Sequence, residues 1–140
     1  MKTANRLIAP LLFFSLTLTG CSKNYDYSSG VEDIVSKGNW IVNYYYENTD
    51  LSSEFENYRF VFSNSGSVAC TLNSDIHTGT WKKIIDADKN EFLIIDFNTH
   101  DQNIEKLNQD WKIISKSTSI LQFESSMPAT SIQMHIARLY

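Results

Sequence analysis

From residue 39 onward the chain alternates apolar and polar side chains with a period of two. Tyr58, Phe60 and Phe62 interleave with Arg59 and Val61, the pattern that sends successive side chains to opposite faces of a strand. Runs of this kind, rich in aromatic and β-branched residues, predict eight strands at 39–46, 58–63, 67–72, 78–85, 91–97, 110–115, 119–125 and 131–139. Ahead of them Val31, Ile34 and Val35 recur at helical spacing, with Ser29 as cap and Gly38 as stop, which predicts one or two helical turns over 31–37. Asn64-Ser65-Gly66 reads as a hairpin turn whose glycine takes a positive φ, 86–90 as a further turn, and Pro128 as part of the turn before the last strand. The run 92–97 is apolar on both faces, so its outside is expected to be covered, with the helix 31–37 as the cover.

The connections decide the topology. Most are three to five residues long, and such short links join antiparallel neighbours. The two long ones, 47–56 and 98–109, carry apolar residues that fit single helical turns at 51–55 and 104–107. No full-length helix is available for a parallel crossover, so the expected fold class is all-β, an eight-stranded antiparallel up-and-down (meander) barrel with a short N-terminal helix. An even strand number lets the last strand pair with the first, which removes both edges. Counting connections, the first, third, fifth and seventh fall at one end, so both long loops share that end, as lids over a mouth would.

The first twenty residues follow another pattern. Lys2 and Arg6 precede Leu7 to Leu18, which are nearly all apolar. Twelve residues rise about 18 Å as a helix, short of a hydrocarbon core of about 30 Å, so the stretch reads as a secretory signal. It ends in Leu18-Thr19-Gly20-Cys21. This resembles the lipobox of bacterial lipoproteins, which implies cleavage between Gly20 and Cys21 and acylation of Cys21. The expected organisation is a signal peptide over 1–20, a polar tether over 21–30 and one domain over 31–140. Ser22 after the cysteine is, by that resemblance, compatible with transport to the outer membrane, so the expected location is the cell envelope, lipid-anchored at the outer membrane.

Removing residues 1–20 takes away Lys2 and Arg6 and leaves ten basic against sixteen acidic residues, a formal charge of −6. That balance argues against a nucleic-acid partner. It also argues against a domain that lies flat on an anionic headgroup surface. Two cysteines rule out a disulfide scaffold, and with Cys21 acylated, Cys70 is left alone on a strand as a small buried hydrophobe.

Several residues in order make the domain resemble the small lipocalin-like lipoproteins. Gly38-Asn39-Trp40 fits the G-x-W opening of a first strand after a short helix, and Tyr58 to Phe62 with Asn64-Ser65-Gly66 fits an aromatic hairpin. Gly79-Thr80-Trp81 fits the fourth strand, Trp111 the sixth, and Arg138 the basic residue that closes the last. The resemblance implies a barrel that binds a small hydrophobic or amphipathic molecule. In a closed barrel Trp40 and Arg138 lie side by side, and guanidinium over indole, worth about 0.5–2 kcal/mol, would plug one end. Counting by twos, Tyr44, Tyr46, Phe60, Phe62, Trp81 and Trp111 are the candidates to line a cavity, with Tyr46 nearest the rim. The chain is short for such a barrel, and 16 of the 120 residues after the cut are aromatic. The alternative is therefore a side-chain-filled barrel, a structural module or one that contacts other envelope proteins.

Catalytic and metal motifs give nothing further. No G-x-S-x-G elbow, P-loop, G-x-G-x-x-G or H-E-x-x-H occurs, so no catalytic residue, no cofactor and no enzymatic activity are expected. Asp75 and His77 are read as a turn, His100 and Asp101 as loop, and His135 as an outward strand residue, which is no metal site. The acidic loop Glu47, Asp50, Glu54 and Glu56 lacks the glycine of a tight calcium loop and reads as a solvated rim.

Overall fold

The computed structural model describes residues 30–127 and 131–140; the signal and lipobox residues, including Gly20 and Cys21, and Pro128 lie outside them. Helix α1 (Val31–Val35) leads into β1 (Asn39–Glu47), the two-residue β2 (Thr49–Asp50), a 3-10 turn (Ser52–Phe55), β3 (Tyr58–Phe62), β4 (Ser67–Leu72), β5 (Asp75–Ile85) and β6 (Glu91–Phe97). Helix α2 (Gln102–Glu105) precedes β7 (Gln109–Lys116), β8 (Ile120–Ser125) and β9 (Ile132–Leu139). Strand β2 is a flap folded back on the end of β1. The other eight strands pair antiparallel in chain order, and β9 returns to β1 along its length, from Asn39↔Leu139 to Glu47↔Ile132. This is the closed meander barrel that the loop lengths required.

Turn chemistry follows backbone demand. Gly38 and Gly66 sit at φ +87° and +85°, where a side chain is strained, and they end α1 and the 63–66 hairpin respectively. Asn73 takes φ 55° in a two-residue link, so β5 begins at Asp75. Asp75 and His77 are therefore strand residues and not the turn expected; Asn73 and Ser74 alone make that turn.

Two β-bulges reset the side-chain phase. Between Val42 and Tyr44 the register with β9 shifts, so Asn43 is an extra residue in β1. Trp40, Val42 and Tyr45 point inward and are buried, whereas Tyr44 and Tyr46 are only part-buried, on the outside. Tyr44 and Tyr46 are thus corrected from interior to exterior, because counting by twos fails across an inserted residue. A second bulge lies between Ile113 and Ser115 and leaves Ile114 exposed on the outer face.

Each end of the barrel is stopped. At the end where β1 begins, α1 buries Val31, Ile34 and Val35 in the core. The helix does not cover the outer face of β6, as the sequence suggested; Phe92 and Ile94 stay part-exposed there. A five-residue amphipathic turn buries more apolar area over the open end of a barrel than against a strand already flanked on both sides. At the other end the connections 48–57 and 98–108 bring in Phe55, Ile104 and Leu107, all almost fully buried.

Candidate functional site

The barrel interior is the first place to look for a ligand. Its walls come from the inward residues of every strand, and they meet in the middle. The Tyr45 ring lies 4.8 Å from Phe55 and 6.3 Å from Trp111 between centroids, and Trp111 lies 6.4 Å from Phe123. Phe60 and Phe97 are 6.3 Å apart, and Phe62 and Trp81 meet edge to face at 5.9 Å. These separations are in the range of favourable tilted and edge contacts. Phe60, Phe62, Trp81 and Trp111 thus point inward as expected, and each is buried against another ring. Buried polar tips are satisfied locally: Trp111 Nε1 donates to the Leu107 carbonyl at 3.0 Å and Trp81 Nε1 to that of Ser63 at 2.9 Å.

Trp40 and Arg138 face each other across the β1–β9 seam. The guanidinium carbon stands 5.0 Å from the centre of the fully buried indole. Trp40 Nε1 donates to the Val35 carbonyl at 2.8 Å, and Arg138 Nη2 donates to the Ile34 carbonyl at 2.8 Å. The pair therefore hydrogen-bonds two carbonyls of the last turn of α1 and holds the helix over the barrel. Gly38 is needed here for its backbone angle of φ +87° and not for space, since a Cβ there would meet Arg138 Cδ at an ordinary 3.4 Å.

The two long loops share the opposite end, as the strand count implied, and they are closed on each other. Asn103 Nδ2 donates to the Glu54 carbonyl at 3.1 Å, and the side chains of Lys106 and Glu54 form an ion pair. Asp101 caps α2 by accepting from Asn103 N and Ile104 N, and it also accepts from the Tyr58 hydroxyl at 3.0 Å. Tyr45 donates to the Lys106 carbonyl at 3.4 Å, and burial together with Glu47 and Glu54 pushes its phenol well above the usual tyrosine range. Tyr45, Phe55, Ile104 and Leu107 are the residues that stop this end, and sequence reasoning missed their role. A signal existed for three of them: apolar residues in polar loops at helical-turn spacing.

The remaining candidates are dispersed. Cys70 is fully buried on β4, and burial, aided by the charge of Asp101, pushes its thiol up to about 12, which leaves it inert as a nucleophile. Among the described residues no group of three or more His, Cys, Asp and Glu is placed to hold a metal ion. His77 is hydrogen-bonded through Nδ1 to Thr99 Oγ1, and His135 packs outside the barrel on Tyr44, with centroids 4.7 Å apart. Burial lowers the His135 pKa. The unfolded chain, with its ordinary value of about 6.5, therefore takes up a proton more readily than the fold does. Stability is expected to be full above that pH and to fall modestly below it. The urea midpoint compared at neutral and mildly acidic pH should show the decline, and His135→Gln should reduce it.

Several concavities lined by described residues open on the outer surface. Strands β1 and β3 are paired only at Trp40↔Phe60. Beyond that pair they splay, and a cleft of about 480 Å³ opens between Val42, Asn43, Ser52, Phe55, Asn57 and Arg59. Three other depressions, of about 200 to 320 Å³, lie along the outer face of β5–β9.

Neither a family model nor a curated protein matches this chain. Among solved structures it is similar to the crystal structure of a DUF4847 family protein from Bacteroides vulgatus ATCC 8482. The TM-score is 0.54 at 18% sequence identity, over 75% of this chain and 96% of that one. At that identity the likeness concerns the fold alone.

Proposed function

We propose that this protein is a non-enzymatic, lipid-anchored barrel of the bacterial cell envelope that works through its surface, as an interaction or structural module, and not by carrying a molecule inside. One observation carries the reading: the inward aromatic rings contact one another across the barrel, and both ends are stopped by the chain's own residues. The rival, a carrier of a small hydrophobic or amphipathic molecule, requires the 48–57 and 98–108 loops to lift and Phe55 and Tyr45 to vacate the space they occupy. That would expose several fully buried aromatic and aliphatic side chains, each worth about 1.5–3 kcal/mol of burial.

The deciding experiment is a titration with an environment-sensitive apolar probe. No saturable binding is expected for the wild type or for a variant with a shortened 48–57 loop. Saturable binding that the loop change alters, and that changes at Asn64-Ser65-Gly66 do not, would restore the carrier reading.

Anchoring is proposed from Leu18-Thr19-Gly20-Cys21 and the apolar stretch before it. Acyl chains each contribute about 0.8 kcal/mol per buried CH₂, so two or more hold a protein on a bilayer stably. The expected result is that the wild type partitions into the detergent phase and Cys21→Ser into the aqueous phase. Equal partitioning of the two would end the lipid-anchor reading.

A further inference from the structure

The exposed apolar side chains of this barrel are not scattered. Val61, Ile84, Ile85, Ile114, Ile120 and Tyr140 lie toward the end that α1 stops, and of the large exposed apolar residues described only Ile76 and Met127 lie toward the lids. The six come from β3, β5, β7, β8 and the end of β9, strands spaced round the barrel, so they form a broken ring about one rim. Ile85 is 56% exposed and Tyr140 98%. A patch for a globular partner would gather on one side; a ring suits a flat apolar medium met end-on.

Charge is distributed in the same sense. The lid connections carry Asp50, Glu54, Glu56, Asp101 and Glu105 against Lys106. At the α1 rim the acids are matched. Glu32 pairs with Lys83 and Glu91 with Lys116, each at 2.8 Å, and the charge of Asp86, hydrogen-bonded by Asn90 in its own turn, is offset in number by Arg138 at the end of β9. Asp33 and Asp88 are balanced by Lys37 and Lys89 on the same rim. One end is therefore acidic and the other close to neutral and apolar. Near an anionic bilayer the acidic end is repelled and the rim is not.

The described chain begins at this same rim. A Cβ built on Gly30 would stand 3.9 Å from Lys83 Nζ. Cys21 precedes Gly30 by nine residues, which span at most about 30 Å when extended. We infer that the α1 rim is a membrane-docking surface: the barrel stands end-on, with Ile84, Ile85, Ile120 and Tyr140 in the headgroup region and the acidic lids turned away. This rests on the lipid-anchor reading and adds an orientation to it. Tyrosine and lysine side chains at such a rim suit that depth.

The test uses the acylated full-length product in vesicles of phosphatidylethanolamine and phosphatidylglycerol, with and without brominated acyl chains. Two variants each add one tryptophan: Ile85→Trp at the rim and Ile76→Trp at the lid end. The expected result is a blue-shifted emission from Ile85→Trp that brominated lipid quenches, and no bromine-dependent loss from Ile76→Trp. Quenching of neither, or of both equally, overturns the docking while leaving the anchor intact. A blue shift at Ile85→Trp without bromine quenching means that protein covers the rim, and it overturns the membrane as occupant. Absence of acyl chains by mass, with aqueous partitioning of the wild type, overturns the anchor and the docking together.

Discussion

Trp40→Ala is expected to cost about 3–5 kcal/mol of folding stability, the usual price of truncating a fully buried large aromatic. Three contacts go at once. The indole leaves a void at the α1 end, the Val35 carbonyl loses its donor, and the Arg138 guanidinium loses the ring 5.0 Å beneath it. Arg138 Nε is buried and has no hydrogen-bond partner, so the indole face is a main source of compensation for that charge. A domain of this size has only about 5–15 kcal/mol in total, so the variant should unfold at much lower urea. Trp40→Phe keeps a ring beneath Arg138 and loses the Nε1 donor, and it should fall between the two. A loss below about 1 kcal/mol for Trp40→Ala would mean that the Trp40–Arg138 closure does not hold the barrel.

Gly79→Val is expected to destabilise the barrel by about 3 kcal/mol, the upper end of the overpacking range. The reason is close approach and not backbone angle. A Cβ at Gly79 would lie 2.3 Å from the Asp96 carbonyl oxygen and 2.9 Å from Phe97 Cα. Both neighbours are β6 backbone held in register, Gly79↔Phe97 and Thr80↔Asp96, so neither can give without breaking the ladder. Phe97 is also tied on its other side, since its N donates to Asn108 Oδ1 and its carbonyl accepts from Asn108 Nδ2. Thermal unfolding should show a lowered midpoint for Gly79→Val and little change for Thr78→Ala, an exposed neighbour. An unchanged midpoint for Gly79→Val would show that β5 and β6 can separate locally.

The two predictions draw on features of different legibility. Trp40 beside Arg138 could be read from the chain, because a closed meander must pair the start of its first strand with the end of its last. Gly79 could be picked out only as part of a motif. The Asp96 carbonyl that forbids a side chain there comes from another strand, and no local pattern reveals it.

The strand pattern, the short antiparallel links, the shared end of the two long loops and the positive φ of Gly66 were all determined by local sequence. The strands and turns depend on residues within one strand or one turn, the shared loop end follows from counting them, and period-two alternation survives wherever one face is buried and the other wet. Tertiary structure alone decided the rest. Asn43 is an ordinary polar strand residue, yet as a bulge it turns Tyr44 and Tyr46 outward and Tyr45 inward, and pairing with β9 is what creates the extra residue. Helix α1 and the apolar residues Phe55, Ile104 and Leu107 were recognisable as buried, but not where they were buried. They fill the ends because an eight-strand barrel lined with large rings leaves apolar surface open only there. Whether such a barrel is hollow depends on the depth and direction of each inward side chain, and those are set by packing between strands far apart in sequence.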